Sequence, residues 1–292
     1  MYNDNIVRET SSEIRALARK ALSGNWGPVF AGMFLFYLLM NTVPGIIDAV
    51  FSFGLSTVDL STLLNENSPE DLIEAIENGN LKVNAGISNL YSLALSGAFS
   101  AGLCSFMLAF FRRKDIKVGY VFNGFEYYLK TLALLLLIML FTFLWTLCLI
   151  IPGIIAGFRY SQAFYVLAED PSKGVMECLD ESKRIMAGNK MKYFILNLSF
   201  IGWYIVAGIV SGIVATVFSI ATTAFASQIL YVIINLVSSV PVLFLMAYVQ
   251  TACTAFFDLA SGNLIARPSR PDAIEVEPIS VETENTDSSE RN

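Results

Sequence analysis

Between Tyr193 and Phe257 the chain runs for 65 residues without a single Asp, Glu, Lys or Arg. A helix needs about 20 apolar residues to cross a bilayer core, so this run can cross and return. A second uncharged run, Thr131–Phe158, adds 28 residues. Membrane barrels are built from short segments of alternating polarity, and no stretch here alternates. The chain therefore reads as all-α, a polytopic helical membrane protein. Its 15% charged residues fall well below the roughly 25% of soluble domains.

Charge placement sets the expected topology. Thr131–Ala168 as one helix would measure about 57 Å, too long for a core of about 30 Å. The sequence predicts a turn at Pro152-Gly153 and a short returning span. Six spans follow, at 28–51, 87–111, 131–151, 153–168, 193–220 and 229–257, within a membrane domain 28–261. An acidic outer loop covers 52–86, and the polar "ATTAFASQ" joins the last two spans. Seventeen of the 19 Lys and Arg then lie on the side that the positive-inside rule assigns to the cytoplasm. Lys82 faces out and Arg159 falls inside the membrane. A five-span reading would turn the five cations of Lys173–Lys192 outward. Both termini are expected in the cytoplasm, with uncleaved spans directing insertion, because the first apolar stretch follows a charged amphipathic segment.

Three basic amphipathic elements precede the hairpins. In "TSSEIRALARKAL", within the cytoplasmic segment 1–27, Ile14, Leu17, Ala18, Ala21 and Leu22 recur at helical spacing. Thr10 and Glu13 have capping-box spacing, and Gly24 suits C′. Such a helix beside a span is expected to lie on an anionic membrane surface. "RRKDIKVGYVFNGFEYY" is rich in interfacial aromatics. "DPSKGVMECLDESKRIMAGNK" is expected to start with Asp170 as N-cap and Pro171 at N1 and to stop at Gly188. Its stripe is Val175, Leu179, Ser182 and Met186, and Asp180 can pair with Arg184. Residues 262–292 hold seven acids and three arginines with few large apolar residues, the composition of a disordered acidic tail.

Arg159 is the most suggestive side chain. A charge within the membrane costs roughly 2.5–3.5 kcal/mol on insertion scales and marks a functional or pairing site. Asp48, near the outer end of the first span, is its candidate ion-pair partner, and Gln162 follows three residues on. These three form the candidate intramembrane polar site, with Arg159 expected to face the bundle interior and hold Asp48, a lipid phosphate or both.

The remaining inventory is sparse. Histidine is absent, and Cys104, Cys148, Cys178 and Cys253 lie far apart, so zinc binding and histidine acid–base chemistry find no residues. No phosphate-binding, dinucleotide or hydrolase motif occurs. Glu169-Asp170 and Glu177 with Glu181 read as caps and solvated charges. Gly153–Gly157, Gly97 with Ala101, and Gly208 with Gly212 are small-residue pairs suited to close helix packing. Asn197, Asn235 and Gln250 can bond between helices. Pro44-Gly45 and Pro152-Gly153 read as turns at outer ends, and Pro241 as a kink. No catalytic residue, cofactor or metal is expected, and an acidic chain gives no support for nucleic acid.

The blocks "ALSGNW", "LWTLCLIIPGIIAGFRYSQAFYVLAEDP" and "ESKRIMAGNKMKYFILNLSFIGW", in that order, resemble a family of bacterial integral membrane proteins catalogued as domain of unknown function 975. The resemblance runs from about Ile14 to Phe257 and implies a multi-span protein of the bacterial plasma membrane without an assigned biochemical role. The outer segment Asp59–Asn80 and the acidic tail depart from it. The expected function is a non-enzymatic scaffold, regulator or lipid-handling protein whose partners are membrane lipids, anionic ones included. Small-residue faces also allow a homo-oligomer or a protein partner. The alternative is a small-solute or peptide transporter.

Overall fold

The computed structural model describes residues 6–52, 87–112, 116–221 and 228–264. The segment expected to form an outer loop, the "ATTAFASQ" connection apart from its first and last residues, and the chain beyond Leu264 lie outside them. So do the side chains of residues 48–52. Every regular element among the described residues is helical.

α1 spans Ser11–Leu22, and its ends follow the local code. Thr10 Oγ1 accepts from the Glu13 N–H at 3.3 Å, while the Glu13 carboxylate accepts from the Thr10 N–H at 2.6 Å. Gly24, at φ +80°, takes the left-handed conformation that turns the chain into the next helix. Ile14, Leu17, Ala18 and Leu22 are buried. They are buried against protein, chiefly the last helix and the one starting at Lys190. α1 is thus docked by its apolar face on the bundle and does not offer that face to a lipid surface.

The first apolar stretch is α2 (Trp26–Tyr37), a π-helical turn over Leu38–Thr42, and α3 (Val43–Ser52). Pro44-Gly45 makes no turn; it lies inside a helix that runs on unbroken from α2, directly after the π-helical turn. α4 (Ile87–Phe111) returns and is the most enclosed span, 56% buried over its apolar window. A 3-10 helix, Val118–Phe125, packs along it. α5 (Tyr128–Cys148) follows.

The predicted fourth span is rebuilt in two respects. The turn falls at Leu149, whose backbone is extended (φ −163°, ψ 148°), and Pro152-Gly153 sits in the first turn of α6 (Ile150–Tyr160). Gly153 lies so close to Thr146 of α5 that an added Cβ would overlap it. The span is also broken: α6 ends at Tyr160, and α7 (Ala163–Glu169) begins after Ser161-Gln162.

α8 starts at Val175 with Gly174 as N-cap, four residues later than expected. Asp170 instead closes a turn, its Oδ1 accepting from the N–H and hydroxyl of Ser172. Leu179, Ser182 and Met186 are fully buried, with Cys178 and Ile185 beside them. Arg184 pairs with Glu181 at 3.1 Å and Lys183 with Asp180 at 2.6 Å, in place of Asp180 with Arg184. α9 (Lys190–Leu198) and α10 (Ile201–Ala221) form the next apolar stretch, interrupted at Ser199-Phe200. α11 (Gln228–Ser261) runs on past Pro241, which lies inside it.

Among the described residues, five stretches are long and apolar enough to cross a membrane, against six expected; α6 and α7 are each too short to count. Their packing is uneven. α10 leans chiefly on α11 and exposes Trp203, Ile205, Ile209 and Ile213. The largest buried cluster instead joins α1, α7 and α8 to the Val249–Ala260 part of α11.

Candidate functional site

The break between α6 and α7 is spliced by one hydroxyl. Ser182 Oγ, from α8, donates to the Arg159 carbonyl at 2.9 Å and accepts from the Gln162 N–H at 3.2 Å. Two backbone groups freed by the interruption are thereby paired. Ser161 tightens the same turn, its hydroxyl donating to the Phe158 carbonyl at 2.8 Å and accepting from Gln162 Nε2 at 2.9 Å.

The three predicted site residues are placed differently. Gln162 is fully buried in the break. Arg159 is half-buried in the last turn of α6, and its guanidinium has no partner among the described residues. It continues the i, i+4 line of Ile151 and Ile155, which are 71% and 47% exposed, so it stands at the edge of an exposed apolar strip. The carbonyl end of α6 favours a cation there. Asp48 belongs to α3, its side chain outside the described residues. The neighbouring ring of Tyr160 stacks on Phe141 and carries Lys183 Nζ 5.8 Å from its centroid.

A second polar centre was not foreseen. Asp258, near the end of α11, is 2% exposed. Arg112, just past α4, reaches it with Nη2 at 2.6 Å and Nε at 3.2 Å, and the same Nη2 bonds Glu169 at the end of α7 at 2.7 Å. Asn263 Nδ2 adds a bond to that Glu169 oxygen at 2.7 Å. Lys130 Nζ, in the first turn of α5, donates to the carbonyls of Pro171, Ser172 and Lys173 at 2.7, 3.3 and 3.2 Å. The ends of α4, α7 and α11 and the start of α5 are therefore tied at one end of the bundle. The only advance signal was a lone acid, Asp258, closing the longest uncharged run.

Between these centres lies a buried polar seam. Tyr165 Oη stands 3.1 Å from Thr254 Oγ1 and donates to Gln250 Oε1 at 3.4 Å, and Tyr193 Oη donates to Cys253 Sγ at 3.7 Å. Of the small-residue pairs, Gly97 meets the backbone of Thr131, whereas nothing approaches Gly208 or Gly212.

No curated protein and no solved structure matches the chain. A family model does, over residues 1–156 and 146–262, and its description is a protein of unknown function, DUF975. With nearly all of its length matched, the chain belongs to the DUF975 family.

Proposed function

We propose that this protein is a six-crossing, multi-pass protein of the bacterial plasma membrane, with both termini cytoplasmic, that handles anionic lipid at its inner face without catalysing a reaction. The six-crossing reading rests on the polar ties: Arg112–Glu169 and Lys130–Pro171 bring the end of α7 back beside the start of α5. α6 and α7 together, about 20 residues, have the length of one crossing.

Arg159 carries the lipid reading. A guanidinium grips a phosphate through two parallel hydrogen bonds. Here it stands half-buried, without a protein partner among the described residues, above exposed Ile151, Ile154 and Ile155 that acyl chains can cover. Nearby, Arg112, Lys173, Lys183 and Arg184 pair with carboxylates. The test is native mass spectrometry of gently extracted protein, wild type beside Arg159→Ala. Retention of anionic phospholipid by the wild type alone supports the reading; equal retention by both sinks it.

Topology is tested by cysteine labelling in intact cells. Cys148, exposed at the far end of α5, is expected to react with a membrane-impermeant maleimide from outside. Cys178 is buried and its thiol is pushed up to about 11 by burial, so it stays unlabelled. Protection of Cys148 from outside would contradict the orientation.

The broken α6–α7 and the seam of Tyr165, Gln250, Thr254, Tyr193 and Cys253 favour one second reading, a transporter of small solutes or peptides, since discontinuous helices line transport sites. Proteoliposomes offered labelled amino acids and dipeptides decide it by accumulation or its absence.

A further inference from the structure

The cations of the charged end fall into two groups. On α8 and at the end of α4 each is matched by a carboxylate. On α1 and α9, Arg15, Arg19 and Lys192 bond neutral oxygens. Arg19 Nη1 donates to Tyr248 Oη at 3.0 Å, Arg15 Nε to the Ser11 carbonyl at 3.3 Å, and Lys192 Nζ to the carbonyls of Arg8 and Glu9 at 3.2 and 3.0 Å. The Lys192 bonds draw the two elements into one surface that also carries Arg8 and Lys190. Of the acids there, Glu13 is occupied in capping α1 and the Glu9 carboxylate accepts from the Arg8 N–H at 3.1 Å, so five cations stand against two acids. Arg8 and Arg19 are exposed and Arg15, Lys190 and Lys192 half-buried, so this basic surface stays open beside the contact of α1 with α11.

The chain supplies its own complement. Between Asp272 and Asn292 it carries seven acids and one arginine. Tyr248 touches α1, and Leu264 lies 16 residues further, at most about 24 Å along a helix. The eight residues from Leu264 to Asp272 reach about 28 Å when extended, so the acidic segment can return to α1. Tethering raises its effective concentration to the millimolar range.

We propose that the acidic segment Asp272–Asn292 docks across the basic surface of Arg8, Arg15, Arg19, Lys190 and Lys192. Docked, it neutralises that surface and shields it from other anions, so its release would expose a cationic patch.

The test is zero-length carbodiimide cross-linking of the full chain, read by mass spectrometry, in nanodiscs of neutral lipid and of mixed neutral and anionic lipid. Carboxylates of Asp272–Glu290 are expected to join Lys190 and Lys192 in preference to Lys173 and Lys183, in both lipids. Raising salt to about 0.5 M should cut the yield at least about fivefold, since exposed charges are screened. A mixture of isotope-labelled and unlabelled protein must give same-isotope pairs. Links spread evenly over all lysines, links only between molecules, or no links at low salt overturn the proposal. Loss of the links in anionic nanodiscs alone also overturns it and assigns the surface to the membrane.

Discussion

Arg112 and Asp258, 146 residues apart, meet as a bidentate pair at the end of the bundle, with Nη2 2.6 Å and Nε 3.2 Å from the same carboxylate oxygen. Asp258 is almost wholly enclosed, whereas Arg112 and Glu169 keep about a quarter of their side-chain surface. Removing the cation strips a buried carboxylate of its guanidinium, a change that typically costs about 3–5 kcal/mol. Arg112→Leu is therefore expected to lower stability in detergent by that order. Glu169→Gln, at a more exposed and screened position, is expected to cost about 1 kcal/mol or less. Thermal unfolding followed by tryptophan fluorescence ranks the two, and equal effects would refute the distinction.

Ser182 makes a narrower prediction. Its hydroxyl is the group that bridges the Arg159 carbonyl and the Gln162 N–H. Ser182→Ala leaves both without that partner at a buried site, an expected loss of about 1–3 kcal/mol. The local signature is faster amide exchange at residues 161–163, with α1 unchanged. Exchange that rises everywhere equally would mean the hydroxyl matters only for global packing.

Two classes of glycine are expected to behave oppositely. A Cβ on Gly102 would overlap the Val121 carbonyl, and one on Gly124 would overlap the Ala98 carbonyl, so α4 and the 3-10 helix touch backbone to backbone. Alanine at either is expected to cost about 3 kcal/mol or more, beyond ordinary overpacking. Gly208 and Gly212 have open space, and alanine there is expected to be neutral or to stabilise α10 by up to about 1 kcal/mol. Expression and melting temperature of the four single variants separate the classes.

How far the chain announces its fold is visible in these residues. The ends of α1 were readable because Thr10, Glu13 and Gly24 act within a few residues of one another. The stripe of α8 was readable because burial follows the helical period. The start of α8 was misplaced because Asp170-Pro171 suits an N-cap and an isolated turn alike, and the contacts of Lys130 with the 171–173 carbonyls accompany the turn. The turn at Leu149 carries no composition signal, while Pro152-Gly153 beside it carries a misleading one. Arg159 was singled out by its apolar neighbours. Ser182, which pairs the backbone at its break, comes from a distant segment, and its place in the α8 stripe does not say what it meets; nor does the lone Asp258 name Arg112.

Acid should loosen α1 in a defined direction. The backbone N–H of Thr10, then its hydroxyl, hold the Glu13 carboxyl below its ordinary value of 4.5. A carboxyl depressed in the folded state contributes stability that is complete above the unfolded value and is lost as pH falls through the lower folded value. Amide exchange in α1 is therefore expected to speed up, relative to α8, once the pH drops below about 4.5. Glu13→Gln keeps an acceptor for the cap and is expected to flatten that difference; an unchanged acid response would remove Glu13 as its source.

The largest buried cluster joins α1, α7 and α8 to the end of α11 rather than the middle of the spans, and this bears on how the protein responds to temperature. Apolar surface withdrawn from water carries a large heat-capacity change on exposure, whereas helices parting within lipid expose nothing new to water. The charged end is thus expected to unfold with the curved temperature dependence of a water-soluble domain and to weaken on cooling. The α10–α11 hairpin, leaning on one interface, is expected to separate with little heat-capacity change. Two thermal regimes within one chain would be the calorimetric imprint of a core built at the edge of the bilayer.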